Sequence, residues 1–514
     1  MRRLLCILLL SAAGMTDAVA AFTQPADSVS LFRTQREHAS PVAALAAAAY
    51  AAPALRSEAF VGSLSEISVG YEMRREETAF EQQKGDGDDF GRFSAESYEH
   101  LSDKSTVWGN AGYRRGTVRN VVWNVSSDYD VVFPYVVADS IGGDLASEEY
   151  VFGGGYGHRS GRCTWALEAD ARALHEYRDH DPRIRNVAID IDAGAGGSVR
   201  IGKYRLGLSA SLRVYKQSGE KIQYAHSAGE KGVYHLSGLG SHYAGFEGNA
   251  NSQARYRGNG CGMTLALVPD AERVGLHLVA GYEYLRIEKE LPGSADLVLQ
   301  KVVPQSFRAE AAWLRYTGDG LHWGVALKVR YDYRRGDEGI VDDNNSSQGS
   351  ETLGFLTLFE YGSLTGCAEA VVGVETADRA WYLCPWAAYL HRTSDYLYPA
   401  QNMELTRAGG GADFRYALQR RRLSFRFEIG GGYVACLKSG LTLPVADLAA
   451  PLVGMVRHDY DRRRQDAAAF HLGLRTDYAL RRRISLFLAA DYGGELYGDS
   501  TSAHRARIVC GIAF

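Results

Sequence analysis

Along most of the chain, apolar and polar residues alternate with a period of two, as expected of strands whose two faces meet different surroundings. Near the end, Phe470, Leu472, Leu474, Thr476, Tyr478 and Leu480 share one face, and His471, Gly473, Arg475, Asp477 and Ala479 the other. After the basic turn Arg481-Arg482-Arg483 the pattern resumes with Ile484, Leu486, Leu488, Ala490 and Tyr492. A closing strand puts Ile508, Cys510, Ile512 and Phe514 on one face. Such an ending serves either as an insertion signal for a barrel assembly machinery or as a last core strand. Farther upstream, Leu321 to Tyr333 at odd positions oppose His322, Gly324, Ala326, Lys328, Arg330, Asp332 and Arg334. Likewise Leu423, Phe425, Phe427, Ile429, Gly431 and Tyr433 oppose Ser424, Arg426, Glu428 and Gly430.

The second face carries charges of both signs at a density no dry core tolerates, because each unpaired buried charge costs several kcal/mol. A β-sandwich would also need strands of only about 5–6 residues. These runs are longer, as a tilted membrane crossing of ~9–11 residues with extensions requires. The pattern therefore predicts an all-β chain, a large antiparallel transmembrane β-barrel over residues 59–514. About nineteen segments can be drawn, whereas single-chain bacterial barrels have even strand numbers. The surplus is placed between 351 and 401, where 351–362, 366–377 and 380–392 read as separate strands, and the expectation is about 18 strands, range 16–20. On the odd count the polar stretch 336–350 would be periplasmic, although Asp342-Asp343-Asn344-Asn345 reads as a surface loop.

Two segments precede the strands. Residues 1–20 combine basic Arg2 and Arg3, an apolar run from Leu4 to Leu10 and the small-residue site Ala18-Val19-Ala20, which predicts a secretory signal peptide. Residues 21–58 read as a helical segment: Ser40 caps, Pro41 occupies the first turn, and Val42 to Ala52 is alanine-rich up to Pro53. A second short helix could start at Asp27 or Ser28. The segment is either a plug that enters the barrel or a periplasmic cap over its base, with the cap weighted more heavily.

Composition supports the barrel. The 57 Gly and 31 Tyr beside only 12 Pro suit many strands and aromatic girdles. Beyond the N-terminus no apolar run reaches the length of a membrane helix. Charge is nearly balanced at −4, or −5 once Arg2, Arg3 and Asp17 are removed, and no nucleic-acid partner is implied. Beyond Cys6, the cysteines Cys163, Cys261, Cys367, Cys384, Cys436 and Cys510 show no metal-ligand spacing and read mostly as small strand residues, although their even number permits disulfides whose pairing the spacing does not give.

The most distinctive stretch is 104–159. Here Val107-Trp108-Gly109-Asn110-Ala111-Gly112-Tyr113 is followed by Ser127-Asp128-Tyr129-Asp130 and by Pro134-Tyr135-Val136-Val137-Ala138-Asp139-Ser140-Ile141-Gly142-Gly143-Asp144. This order resembles an uncharacterised outer-membrane β-barrel family of Bacteroidota with a WGNAxY-like strand and a DYDxxxPYxxADSxGGD-like loop. Gly112, between Ala111 and Tyr113, departs from that pattern. The resemblance implies fold and a location in the outer membrane of a Gram-negative bacterium, and supplies no activity or site.

In that loop Asp128, Asp130, Asp139 and Asp144 could constrict the lumen or bind Ca²⁺, but the spacing is not that of an EF-hand. Turn formation by Asp and Gly outweighs a metal site. Loop 218–252 brings His226, His235 and His242 near Tyr224, Tyr234 and Tyr243, more simply as exposed loop residues than as haem or metal ligands. The triplets Gly409-Gly410-Gly411 and Gly430-Gly431-Gly432 are read as points of barrel curvature. No GxSxG or HExxH motif occurs, so no enzyme is expected, and no metal or cofactor.

The leading functional expectation is a solute channel or uptake component whose lumen field is set by Lys328, Arg330, Arg426, Glu428, Arg475 and Asp477. Its surroundings would be outer-membrane lipid and the assembly machinery. The alternative is an anchoring barrel that partners a surface lipoprotein or a TonB-dependent receptor. A third reading, a carrier of hydrophobic compounds with an N-terminal hatch, requires residues 21–58 inside an apolar-lined lumen.

Overall fold

Eighteen antiparallel strands form one sheet in which each pairs with its neighbours in sequence, and the first, Leu64–Glu76, pairs with the last, Ser502–Ala513, from Glu66↔Ala513 to Glu76↔Ala503. Closure leaves no strand edge unpaired, which is what a sheet in lipid requires. The computed structural model describes residues 31–181, 183–220, 233–243, 253–270, 274–292, 297–315, 320–342, 351–444, 450–481 and 483–514. The signal-peptide expectation, the caps Asp27 and Ser28, and Tyr224 and His226 lie outside these residues.

The two-residue period decides which face meets lipid. On Gly320–Asp342, Leu321, Val325, Leu327, Val329 and Tyr331 point outward and are exposed, while His322, Gly324 and Ala326 are buried on the inner side. The outward apolar run ends at Arg335, so the rest of this 23-residue strand stands beyond the hydrocarbon band. Ile508, Cys510, Ile512 and Phe514 likewise face outward on the closing strand. Exposed Trp165, Trp313 and Trp381 all lie within a few residues of one mouth, where the turns are tight, and form an aromatic girdle there. Gly161 and Gly202 take positive φ in two of those turns.

The surplus segment is resolved by pairing. Glu351–Glu375 is one strand of 25 residues, because Thr365, in the presumed break, pairs with Arg330 on one side and Leu390 on the other. Its Gly362, Ser363 and Gly366 weaken the apolar signal without interrupting the ladder. With one strand fewer, the connection after Asp342 belongs to the long-loop mouth and not to the periplasmic side. Two of the glycines in the triplets have a packing role. A Cβ on Gly411 would fall 2.3 Å from Gly431 O and 2.8 Å from the Trp386 ring, and one on Gly432 2.5 Å from the same ring, so these glycines make room for an inward tryptophan. The six cysteines in the described residues are all free thiols.

Candidate functional site: the lumen and its two closures

At the tight-turn mouth, residues 31–58 run round the inside of the wall. Gln35 Nε2 donates to Asp477 Oδ1 at 3.2 Å and Ser485 Oγ at 3.1 Å; Arg36 donates to Thr376 O at 2.9 Å and Ala377 O at 2.8 Å. Farther along, Tyr50 OH lies 3.4 Å from His277 Nε2, Ala54 N donates to Ser209 Oγ at 3.1 Å, and Arg159 clasps Glu58 at 2.8 and 2.9 Å. These partners belong to strands met in reverse order round the barrel, so the segment is a belt along the mouth.

Small residues make the belt fit. Val42, Leu45, Ala46, Ala49, Ala54 and Leu55 are buried against Ala266, Val268, Ala312, Leu314, Ala326 and Val371 of the wall. Wall glycines complete the contact: a Cβ at Gly324 would sit 2.8 Å from Leu45 Cδ1, and one at Gly207 2.9 Å from Leu55 Cγ. Ser40 Oγ accepts from Ala43 N at 3.4 Å and Pro41 starts the helix, as the sequence suggests. The continuous helix expected over Val42 to Ala52 is instead broken into Pro41–Ala44 and Ala47–Ala51, and a further turn, Pro53–Arg56, follows where it was expected to end. A straight rod of that length, rising ~1.5 Å per residue, cannot follow a curved wall.

The opposite mouth is filled by chain folded inward. Residues 122–142 enter the barrel, and their Val137–Asp139 pairs with Val233–Gly238, which also pairs with Ser241–His242, as a small separate sheet. Tyr135, Val136 and Leu236 pack there with Leu452, Met455 and Val456 of the helix Ala450–Arg463. Asp128 accepts from Arg172 at 2.9 and 2.7 Å and from Tyr215 OH at 3.1 Å, fastening the loop to the wall. Asp130 pairs with Lys84 at 2.7 Å. Asp139 accepts from Ile141 N and Gly142 N, and Asp144 from Asn120 N, so these two close turns. The four aspartates do not converge on one point. His235 is buried in the small sheet, and His242 meets Tyr234 edge-on at 5.2 Å.

Between the closures lie cavities of about 540, 760 and 570 Å³. The inward charges named from the sequence are already paired, and of them Arg330, Arg426, Glu428 and Arg475 line these cavities. Lys328 Nζ meets Glu369 at 2.8 Å, Arg330 meets Asp332 at 2.9 Å, and Arg426 lies 3.7 Å from Asp477. Arg475 binds Asp477 at 3.0 Å and Glu66 at 3.1 Å, while Glu428 accepts from Arg415 at 3.0 Å. Glu66, Glu369 and Arg415 went unnamed in the sequence, although their alternation places each inward. Glu168, Asp170, Asp190 and Asp192 also escaped notice; they line the largest of these cavities on two adjacent strands, with Arg172 and Arg213 among them. Asp413, Glu428 and His471 bring one ligand atom each within 4.8 Å of one another.

A closed sheet with an apolar outer band around a charged, partly filled lumen defines a transmembrane β-barrel. The chain belongs to DUF6850, a family of unknown function, whose pattern it matches over residues 53–514. No curated protein matches it in sequence. Among solved structures it is similar in fold to BauA, the ferric preacinetobactin receptor of Acinetobacter baumannii, at 9% identity and TM-score 0.38, covering 88% of this chain and 80% of that one. The alcaligin outer membrane receptor FauA of Bordetella pertussis gives 9% identity and TM-score 0.35 over 86% and 76% of the two chains. The siderophore receptor PiuA of A. baumannii gives 8% and 0.38 over 88% and 82%. What they share with this chain is large-barrel architecture, and nothing in it bears on a ligand.

Proposed function

We propose that this protein is an outer-membrane barrel of a Gram-negative bacterium that passes polar solutes, gated at its tight-turn mouth by the belt of residues 31–58. The reading is carried by the belt's position: it is docked inside the mouth by small apolar contacts and a few hydrogen bonds, directly against cavities lined by ion-paired side chains. Apart from Val42, Leu45, Tyr50 and Leu55, the belt side of this cluster is alanine, each residue of which loses little on separation, so release turns on those few anchors. The polar lining favours hydrated cargo over the hydrophobic compounds of a hatch-type carrier. Paired charges of both signs favour size and polarity, not a single sign of ion, as the basis of admission. The same reading assigns the chain no catalysis.

Single-channel recording in planar bilayers tests it. The full-length mature protein should stay mostly closed with brief openings, and removal of residues 31–58 together with Arg172→Ala, which unfastens the closure at the opposite mouth, should give steady conductance. Equal, steady conductance by both proteins would refute gating by the belt. Silence of both would refute solute passage and turn attention to an anchoring role with a surface partner.

A further inference from the structure

We infer that Asp413, Glu428 and His471 form a site on the inner wall for a divalent first-row transition ion, with Zn²⁺ as its representative. The three residues lie on consecutive strands, Gln401–Arg420, Leu423–Thr442 and Ala467–Arg481. All face the lumen, since Phe414, Ile429 and Leu472 beside them are exposed on the outer face. The inference does not depend on what the barrel passes.

Register explains why they meet. Gly430 pairs with Asp413 on one side and with His471 on the other, so the two side chains flank one glycine. Residues two strands apart are separated by ~10 Å along the sheet, and their tips touch only if the position between them is empty. Gly430 supplies that vacancy: a Cβ there would lie 2.0 Å from Asp413 Oδ1 and 2.3 Å from His471 Cε1. Glu428, two residues away and therefore on the same face, brings Oε1 to 3.3 Å from His471 Nε2, and Asp413 Oδ1 lies 3.7 Å from that nitrogen. An ion with bonds of ~2.1 Å in tetrahedral geometry needs donors about 3.4 Å apart. The two spacings to His471 bracket that value, and all three donors lie within 4.8 Å of one another.

The donor set matches the ion class. Two carboxylates and one imidazole suit Zn²⁺, Co²⁺ or Mn²⁺, and the lumen leaves a further position open for water or cargo. A cavity of about 280 Å³ reaches both Asp413 and His471. Arg415 is the competitor, since its Nη2 donates to Glu428 Oε1 at 3.0 Å. Two carboxylates and one guanidinium leave one negative charge, which still attracts a cation.

Isothermal titration of the full chain, purified in detergent without a histidine tag, tests the site. One Zn²⁺ per chain should bind, and Ca²⁺ should bind far more weakly. His471→Ala and Asp413→Asn should each weaken Zn²⁺ binding about tenfold or more. Arg415→Gln should tighten it several-fold by removing the rival cation. Gly430→Ala, which keeps every ligand, should weaken it by pushing Asp413 and His471 apart. Heat-modified mobility on denaturing gels checks that each variant is a folded barrel. Absence of Zn²⁺ binding, or equal binding by wild type and His471→Ala, would overturn the assignment; the latter would place the ion at surface groups or free thiols.

Discussion

Leu55→Ala offers a direct measure of how tightly the belt closes the mouth. Leu55 is 0% exposed, and its Cγ lies against the wall at Gly207. Truncating a fully buried leucine costs ~2–5 kcal/mol through lost transfer energy and the cavity left behind. Here the penalty falls on the docked state of the belt, because the released belt exposes this side chain in any case. Taking ~3 kcal/mol, at ~1.4 kcal/mol per factor of ten, the docked-to-released ratio should fall by about two orders of magnitude. Single-channel open probability should rise accordingly, while the heat-modified gel shift of the barrel stays intact. The wall supplies a second perturbation: Gly207→Ala puts a Cβ 2.9 Å from Leu55 Cγ and 3.2 Å from Ala54 Cβ, and such overpacking costs ~1–3 kcal/mol. In the double variant the shortened side chain leaves room for the new methyl, so the two effects should combine to less than their sum. Unchanged open probability in Leu55→Ala, or simple additivity in the pair, would refute docking of Leu55 on Gly207 as the closing contact.

At the other mouth, Arg172→Ala removes both hydrogen bonds from Asp128 and leaves a largely buried carboxylate with Tyr215. A loss of about 3 kcal/mol is expected, and limited proteolysis within 122–142 should accelerate; an unchanged cleavage rate counts against the anchor. Acid should loosen the same closure through Glu81. Burial alone would raise its pKa, but Arg463 and Lys84 beside it outweigh burial and hold it below the ordinary carboxylate range. A depressed native pKa stabilises above the unfolded value, and that stability is lost as pH falls through the native one. Openings at the long-loop mouth should therefore become more frequent only when pH drops below the usual carboxylate range, and Glu81→Gln should show them already at neutral pH. In the lumen, joint Glu66→Gln and Asp477→Asn substitution leaves Arg426 and Arg475 without their carboxylates, and the reversal potential in a salt gradient should move toward anion preference. No movement would mean that this cluster lies off the conducting path.

The alternation from Leu321 to Arg334 and from Leu423 to Tyr433 by itself separates an outer face from an inner one and puts Lys328, Arg330, Arg426 and Glu428 on the latter. That assignment is local: side-chain direction in a strand follows position parity alone, and solvent partition reads the parity directly. The N-terminal cap at Ser40 and Pro41 was legible for the same reason, since capping involves residues three apart. Register is a relation between strands, and no single strand contains it. Thus Lys328 with Glu369, Arg475 with Glu66, and the meeting of Asp413 and His471 over Gly430 emerged only from the stagger of the closed sheet. The unbroken Glu351–Glu375 strand was decided by its neighbours' backbones, which held its weak middle in the ladder. In the same way the curved wall broke an alanine-rich helix into short turns, because its glycine and alanine surface favoured contact over a straight axis.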